Sequence, residues 1–320
     1  MQEINKTGVL EFYLLRFQVS QGLRISLFSL FLVVYCLIFC GNLLIITLVS
    51  TSKSLNTPMY FFISQLSISD ILLPTDIVPN MLHILLNNGE TFTFIGCITQ
   101  LYVFCASEVF ECFLLAVMSY DRYVAICNPL HYTSIMTNGH CVILTTMCWL
   151  FAISFVLIYI VTAARLNFCG PNIIDHFFCD LVPLLELACS DTFFVNLEVY
   201  LLSIPIIIIP ATIIVISYTY IVVSVLRIPS SSGRQKAFST CSSHLTVVSI
   251  FYGTIFCVYI VPSQGRTLTM SKILSLLYTV FTPLVNPIIY SLRNEDIKKP
   301  IKKTFYQLAI WEIIHNILQR

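Results

Sequence analysis

A bilayer core is crossed by about 20 predominantly apolar residues in a helix, and seven stretches of this chain meet that length. They run roughly Ser26–Ser50, Pro58–Leu86, Cys97–Cys127, Cys141–Ala163, Leu197–Leu226, Phe238–Val261 and Ile273–Leu292. The runs are long and continuously apolar, without the ten-residue alternation of barrel strands, so they are expected as helices. Between them lie short polar segments rich in turn residues, such as Lys53–Thr57 and Pro229–Lys236. The one long connection is Arg165–Asn196. Only 10% of the 320 residues are charged, against about a quarter in soluble domains. A chain so poor in charge cannot clothe a globule in a wettable surface, which excludes an ordinary soluble enzyme. A formal net charge of +1 also lacks the basic stripe a nucleic-acid binder needs.

Orientation follows from lysine and arginine near the spans. With the N-terminus outside, Lys53, Arg122, Arg227, Arg234, Lys236, Arg293, Lys298, Lys299, Lys302, Lys303 and Arg320 fall inside. Lys6, Arg16, Arg24, Arg165, Arg266 and Lys272 fall outside. Eleven against six favours that orientation. The expected organisation is therefore an outer tail over 1–25, a seven-helix membrane domain over 26–292 and an inner tail over 293–320. In that last segment Ile297, Ile301, Phe305 and Leu308 recur at helical spacing among Lys298, Lys299, Lys302 and Lys303. This pattern predicts a short amphipathic eighth helix on the inner leaflet. Asn5-Lys6-Thr7 is the only N-x-S/T sequon, and the orientation places it where glycosylation occurs.

Of 13 cysteines, Cys97, Cys169, Cys179 and Cys189 lie at or near the outer surface, where disulfides form. Four cysteines allow three pairings, and the spacing does not choose among them. The remaining cysteines lie mostly within helices and read as small apolar residues.

Five stretches then coincide in order. They are Gly41-Asn42; Pro58-Met59-Tyr60-Phe61-Phe62 with Leu66-Ser67-Ile68-Ser69-Asp70; Met118 through Tyr132, containing Asp121-Arg122-Tyr123; Lys236 through Leu245; and Pro283 through Asn294, containing Asn286-Pro287 and Tyr290. Together they resemble the olfactory receptors within the rhodopsin-like G-protein-coupled receptors, over the chain from the first to the seventh helix. Asn56, Ser119 and Glu295 depart from the family's usual residues without touching the switch positions. The resemblance implies disulfides Cys97–Cys179 and Cys169–Cys189. It also implies a switch of Asp121, Arg122, Tyr123, Tyr218, His244, Asn286, Pro287 and Tyr290, with Arg122 held by Asp121 at rest and freed to meet a G protein. The partners implied are a small volatile odorant and a stimulatory, olfactory-type heterotrimeric G protein that raises cyclic AMP. The implied location is the plasma membrane of sensory-neuron cilia.

The residues add their own physics. Asn286-Pro287 removes a backbone hydrogen bond and lets the seventh helix kink. Asp70 and Glu111 are acids deep in apolar helices, which mark function by default. Two nearby carboxylates do not both ionise cheaply, so a shared proton or a sodium ion among Asn42, Asp70, Glu111 and Asn286 is expected; no other cofactor is. Counting outward from the switch, Phe104, Cys105, Glu108, Val109, Leu202, Ser203, Ile206, Tyr252, Ile255, Phe256, Tyr259, Leu276 and Thr279 are expected to face a ligand cavity. Its lining would be mostly apolar with a few hydroxyls. Glu108 stands out, on the face of Glu111 but nearer the cavity, where it would contact a polar group of the ligand. Asp76 either adds to this acidic patch or lines water. A channel or transporter would need a polar path for which only Asp70, Asp76, Glu108, Glu111 and Asp121 are available. The chain carries no hydrolase or metalloprotease motif, so no enzymatic activity is expected. The alternative function is a receptor of the same fold for a metabolite or other non-odorant ligand.

Overall fold

The computed structural model describes residues 11–15, 19–87, 89–169, 172–257, 268–293 and 297–298. The expected glycosylation site at Asn5, the cavity residue Tyr259 and nearly all of the amphipathic eighth helix lie outside them.

Apolar runs become helices because a backbone in lipid must satisfy its own polar groups. The first helix is Gln21–Thr51, the second Pro58–Leu86, the third Phe94–Cys127 and the fourth Asn138–Ala163. The fifth runs Phe193–Leu226, the sixth is described over Ser231–Ile255, and the seventh spans 268–293. Helix starts carry the expected chemistry: Thr93, Thr137 and Ser230 accept from the backbone N–H groups of Gly96, His140 and Gly233, and Pro58 opens the second helix. Six of the seven are long and apolar enough to cross a membrane over their described residues, and the third is the most enclosed. The first and fifth instead present rows of exposed Leu, Ile and Val along their flanks, as lipid-facing helices do.

Two helices carry complete π turns within the described residues. Ile204–Ile208 in the fifth and Leu277–Phe281 in the seventh are π-helical turns, each beside prolines that lack the N–H for a regular bond. One sequence boundary shifts here. The first helix begins at Gln21 rather than Ser26, so its opening turn lies within the span assigned to the tail. Beside the helices, a small sheet of order β2-β1-β3 crowns one end of the bundle. Strand β1 (Glu11–Leu15) pairs antiparallel with β2 (Gly89–Thr93) and parallel with β3 (Ile173–Ile174). Gly89 is required where it stands: its φ is +123°, and a Cβ there would lie 2.7 Å from the Leu14 carbonyl oxygen.

At the same end the structure joins Cys97, in the first turn of the third helix, to Cys179, and Cys169 to Cys189. Gln100 reinforces the first bond. Its Oε1 accepts from the Cys179 N–H (2.9 Å), and its Nε2 donates to the Asp76 carbonyl on the second helix (2.9 Å). The connection after the fourth helix is thereby tied across the mouth of the bundle. Phe177, Phe178 and Cys179 are fully buried there, and Phe12 of β1 packs against Phe94 and Phe168.

Candidate functional site

Three polar layers run along the axis of a bundle that is otherwise apolar. The layer furthest from the sheet centres on Asp121, which is fully buried. The neighbouring Arg122 donates from Nε to Asp121 Oδ2 (2.9 Å), and its Nη2 is paired with the same oxygen. Tyr132, in the one-turn helix Tyr132–Ile135, donates its hydroxyl to Asp121 Oδ1 (2.8 Å). Burial and the Asp121 charge raise the Tyr132 hydroxyl above its ordinary pKa, so it remains a donor. Both oxygens of Asp121 are thus engaged, and Arg122 points inward to its neighbour. Tyr218 on the fifth helix and His244 on the sixth share a 2.7 Å hydrogen bond, both buried. Tyr123 sets its ring edge-on to Tyr220, and the Cys127 thiol lies 3.2 Å from the Ser224 hydroxyl. Tyr290 is buried with its hydroxyl unpartnered among the described residues.

The middle layer explains a residue on the first helix by a proline on the seventh. Pro287 has no N–H to offer the Pro283 carbonyl one turn earlier, and Asn42 supplies it instead: Nδ2 donates to Pro283 O (3.2 Å) and to Ile38 O (3.0 Å). Beside it, Asn286 Nδ2 reaches both oxygens of Asp70 (3.0 and 3.1 Å). Acceptors then outnumber donors. Glu111 Oε1, Asn42 Oδ1 and Asn286 Oδ1 are buried with no donor among the described residues. Such a set of hard oxygens suits a small cation, a water or a retained proton. The described residues hold no group of three or more His, Cys, Asp and Glu, so a transition-metal centre has no ligand set among them.

The third layer lies under the sheet, where the sequence analysis expects a ligand. Phe104 is fully buried and packs against Phe178 of the roof (5.2 Å between ring centroids) and Tyr278 of the seventh helix (5.6 Å). Cys105 and Glu108 keep part of their surface open, while Val109 closes the helix behind them. Ile206 lies buried in the π turn of the fifth helix, and Ile255 is buried in the sixth. Leu202, Tyr252 and Leu276 are partly buried against the core.

Not every expected residue reaches this layer in the expected way. Phe256 is 53% exposed and turns away from the interior. Phe256 lies about 100° around the helix from Ile255, and the inward face takes Ile255 instead. Ser203 and Thr279 spend their hydroxyls on their own helices, donating to the Tyr200 carbonyl (2.7 Å) and the Ser275 carbonyl (2.8 Å). The structure adds Tyr278, whose hydroxyl donates to Ser275 Oγ (3.1 Å), and the roof residues His176 and Phe178. Their one signal in sequence is closeness to Cys179. His176 is buried, with Nε2 3.3 Å from Ser275 Oγ. Burial first, and then the Lys272 charge, lower its pKa to about 3, so it stays neutral. Lys272 itself is paired with Asp175.

Comparison with known proteins gives this geometry its family. The olfactory receptor family profile matches residues 31–308. The chain is 44% identical to human olfactory receptor 11L1 over 303 residues, covering 95% of this chain and 94% of that protein. It is 45% identical to mouse olfactory receptor 6B9 over 302 residues, covering 94% and 95%. The fold superposes on squid rhodopsin with a TM-score of 0.73 at 20% identity, over 92% of this chain and 84% of that one. The protein is thus a multi-pass membrane receptor rather than an enzyme, and the chain belongs to the olfactory receptor family, on the seven-helix fold of the G-protein-coupled receptors.

Proposed function

We propose that this odorant receptor faces its sheet and disulfides outward, takes a small hydrophobic ligand beneath that roof, and activates a stimulatory, olfactory-type G protein. Cyclic AMP rises as a result. The observation that carries this is Arg122, a cation at the roofless end of the bundle held by Asp121, which Tyr132 clamps in turn. A permanent charge buried in lipid costs at least ~2.5 kcal/mol, and pairing it with its neighbour leaves it one rotamer away from a new partner. Ligand binding that favours an open inner end shifts the population toward the state in which Arg122 is released. The Tyr218–His244 bond between the fifth and sixth helices is the second contact that opening breaks. A sodium ion among Asp70, Glu111, Asn42 and Asn286 belongs to the same reading, as a stabiliser of the resting state. The protein is expected in the ciliary membrane of sensory neurons.

A cyclic-AMP reporter in cells, screened over chemically varied volatiles, tests this. The parent is expected to respond to a subset of them, and Arg122→Ala at equal surface expression is expected to lose at least nine-tenths of the response. A response that survives Arg122→Ala, or that persists without the stimulatory G protein, overturns the coupling.

A further inference from the structure

Glu108 has no role in the switch, and nothing in the described structure neutralises it. It sits deep within the protein yet keeps part of its surface open, while Ser107 and Val109 on either side are buried. An open surface at that depth borders an interior hollow. The ion pairs among the described residues are His83–Glu90, Arg122–Asp121 and Lys272–Asp175, so no described basic side chain is matched to Glu108. Two further groups fall short of partners, Glu111 on the same face and a tyrosine near Glu111. Glu111, one turn deeper on the same face of the third helix, is 3% exposed and has an Oε1 without a donor. The Tyr252 hydroxyl on the sixth helix, close enough to feel Glu111, is likewise buried without a partner. One turn above Glu108, Phe104 and its neighbours Phe178 and Tyr278 present aromatic rings. A carboxylate, unsatisfied oxygens and a ring wall together form a receptacle for a cation, since an ammonium satisfies acceptors and is attracted to aromatic faces.

We propose that Glu108 is the counter-ion for a small protonated amine, and that aliphatic or aryl-alkyl amines are the ligand class this receptor prefers. This rests on the receptor reading above and specifies its ligand. A molecule that arrives as an ammonium, or as a free amine that takes the Glu108 proton, ends in the same carboxylate–ammonium pair. The apolar remainder of the molecule then packs on the Phe104 side of the hollow. The cation offers hydrogens to Glu108 and to the Tyr252 oxygen, which a neutral alcohol of the same skeleton serves less well.

Three matched pairs test the proposal: hexylamine with hexan-1-ol, cyclohexylamine with cyclohexanol, and 2-phenylethylamine with 2-phenylethanol. Each is assayed on the parent, Glu108→Gln and Glu108→Asp at matched surface expression, by cyclic-AMP response. Thermal unfolding of the purified receptor in nanodiscs, with the same compounds, reads binding without a G protein. At least one amine is expected to act at a tenfold or lower concentration than its alcohol. Glu108→Gln should raise that amine's half-maximal concentration at least tenfold and abolish its thermal shift, leaving the alcohol within threefold. Glu108→Asp should retain part of the preference. Amines no better than alcohols, or an amine thermal shift unchanged in Glu108→Gln, overturn the amine assignment. An amine thermal shift that depends on Glu108 without any cyclic-AMP signal upholds the assignment and overturns the coupling instead.

Discussion

Asn42 shows how one side chain answers a defect on another helix. Its amide replaces the donor that Pro287 denies to the Pro283 carbonyl, 241 positions away in sequence. Asn42→Ala leaves that buried carbonyl without a donor, which costs about 1–3 kcal/mol, and a lowered Tm of the purified receptor is the expected result. Gly41→Ala is the informative companion: an added Cβ meets Pro287 at 3.6 Å, an ordinary contact, so little change is expected. The roof supplies a pH test. His176, with its pKa lowered to about 3, binds fewer protons folded than unfolded between about pH 6.5 and 3, so it withdraws stability as pH falls through that window. Asp180 acts oppositely. Burial raises its pKa to about 6 although the Leu181 N–H favours the charged form, so folding is aided as pH falls from about 6 toward 3.8. His176→Gln should therefore flatten the acid decline of Tm between pH 6.5 and 5. Asp180→Asn should steepen it below pH 6. The limit for either is about 1.4 kcal/mol per pH unit.

At the scale of elements, the kinks decide what can move. Pro287 keeps the seventh helix from closing its regular bond to Pro283, and the π turn at Leu277–Phe281 loosens it again one stretch earlier. Pro287→Ala restores the missing donor. It is expected to hold or raise thermal stability while lowering ligand-evoked cyclic AMP several-fold at equal surface expression. Apolar length made the helices legible in sequence, because lipid demands it of every spanning segment. Their outer ends were less legible: Gln21–Arg24 winds as helix although the segment is mostly polar, so hydropathy does not mark it. The π turns change neither length nor polarity, so they left no trace, and Phe256 was miscounted because it borders the inward face that Ile255 occupies. The sheet was hidden for another reason. Its strands are two to five residues long, and β1 pairs with segments far along the chain, Tyr13 with Thr91 and with Ile173. Within the inner layers, Asp70, Glu111 and Asn286 were readable because polar groups in apolar helices need each other. Tyr278 was not, since its place depends on a ring from the third helix.

The whole molecule is an apolar bundle bolted at one end and held by a few polar contacts at the other. The bolts differ in reach. Cys97–Cys179 spans 82 residues and Cys169–Cys189 spans 20. By chain entropy the longer closure stabilises by about 1 kcal/mol more. Cys97→Ser is accordingly expected to lower Tm and surface expression further than Cys189→Ser, measured in parallel. The unequal ends also bear on timing. With Phe178 packed on Phe104 in a loop that two disulfides hold, a ligand bound beneath this roof is expected to leave as the roof parts. A lid fastened in this way predicts a signal that outlasts exposure, read as a slow fall of cyclic AMP after the ligand is washed out.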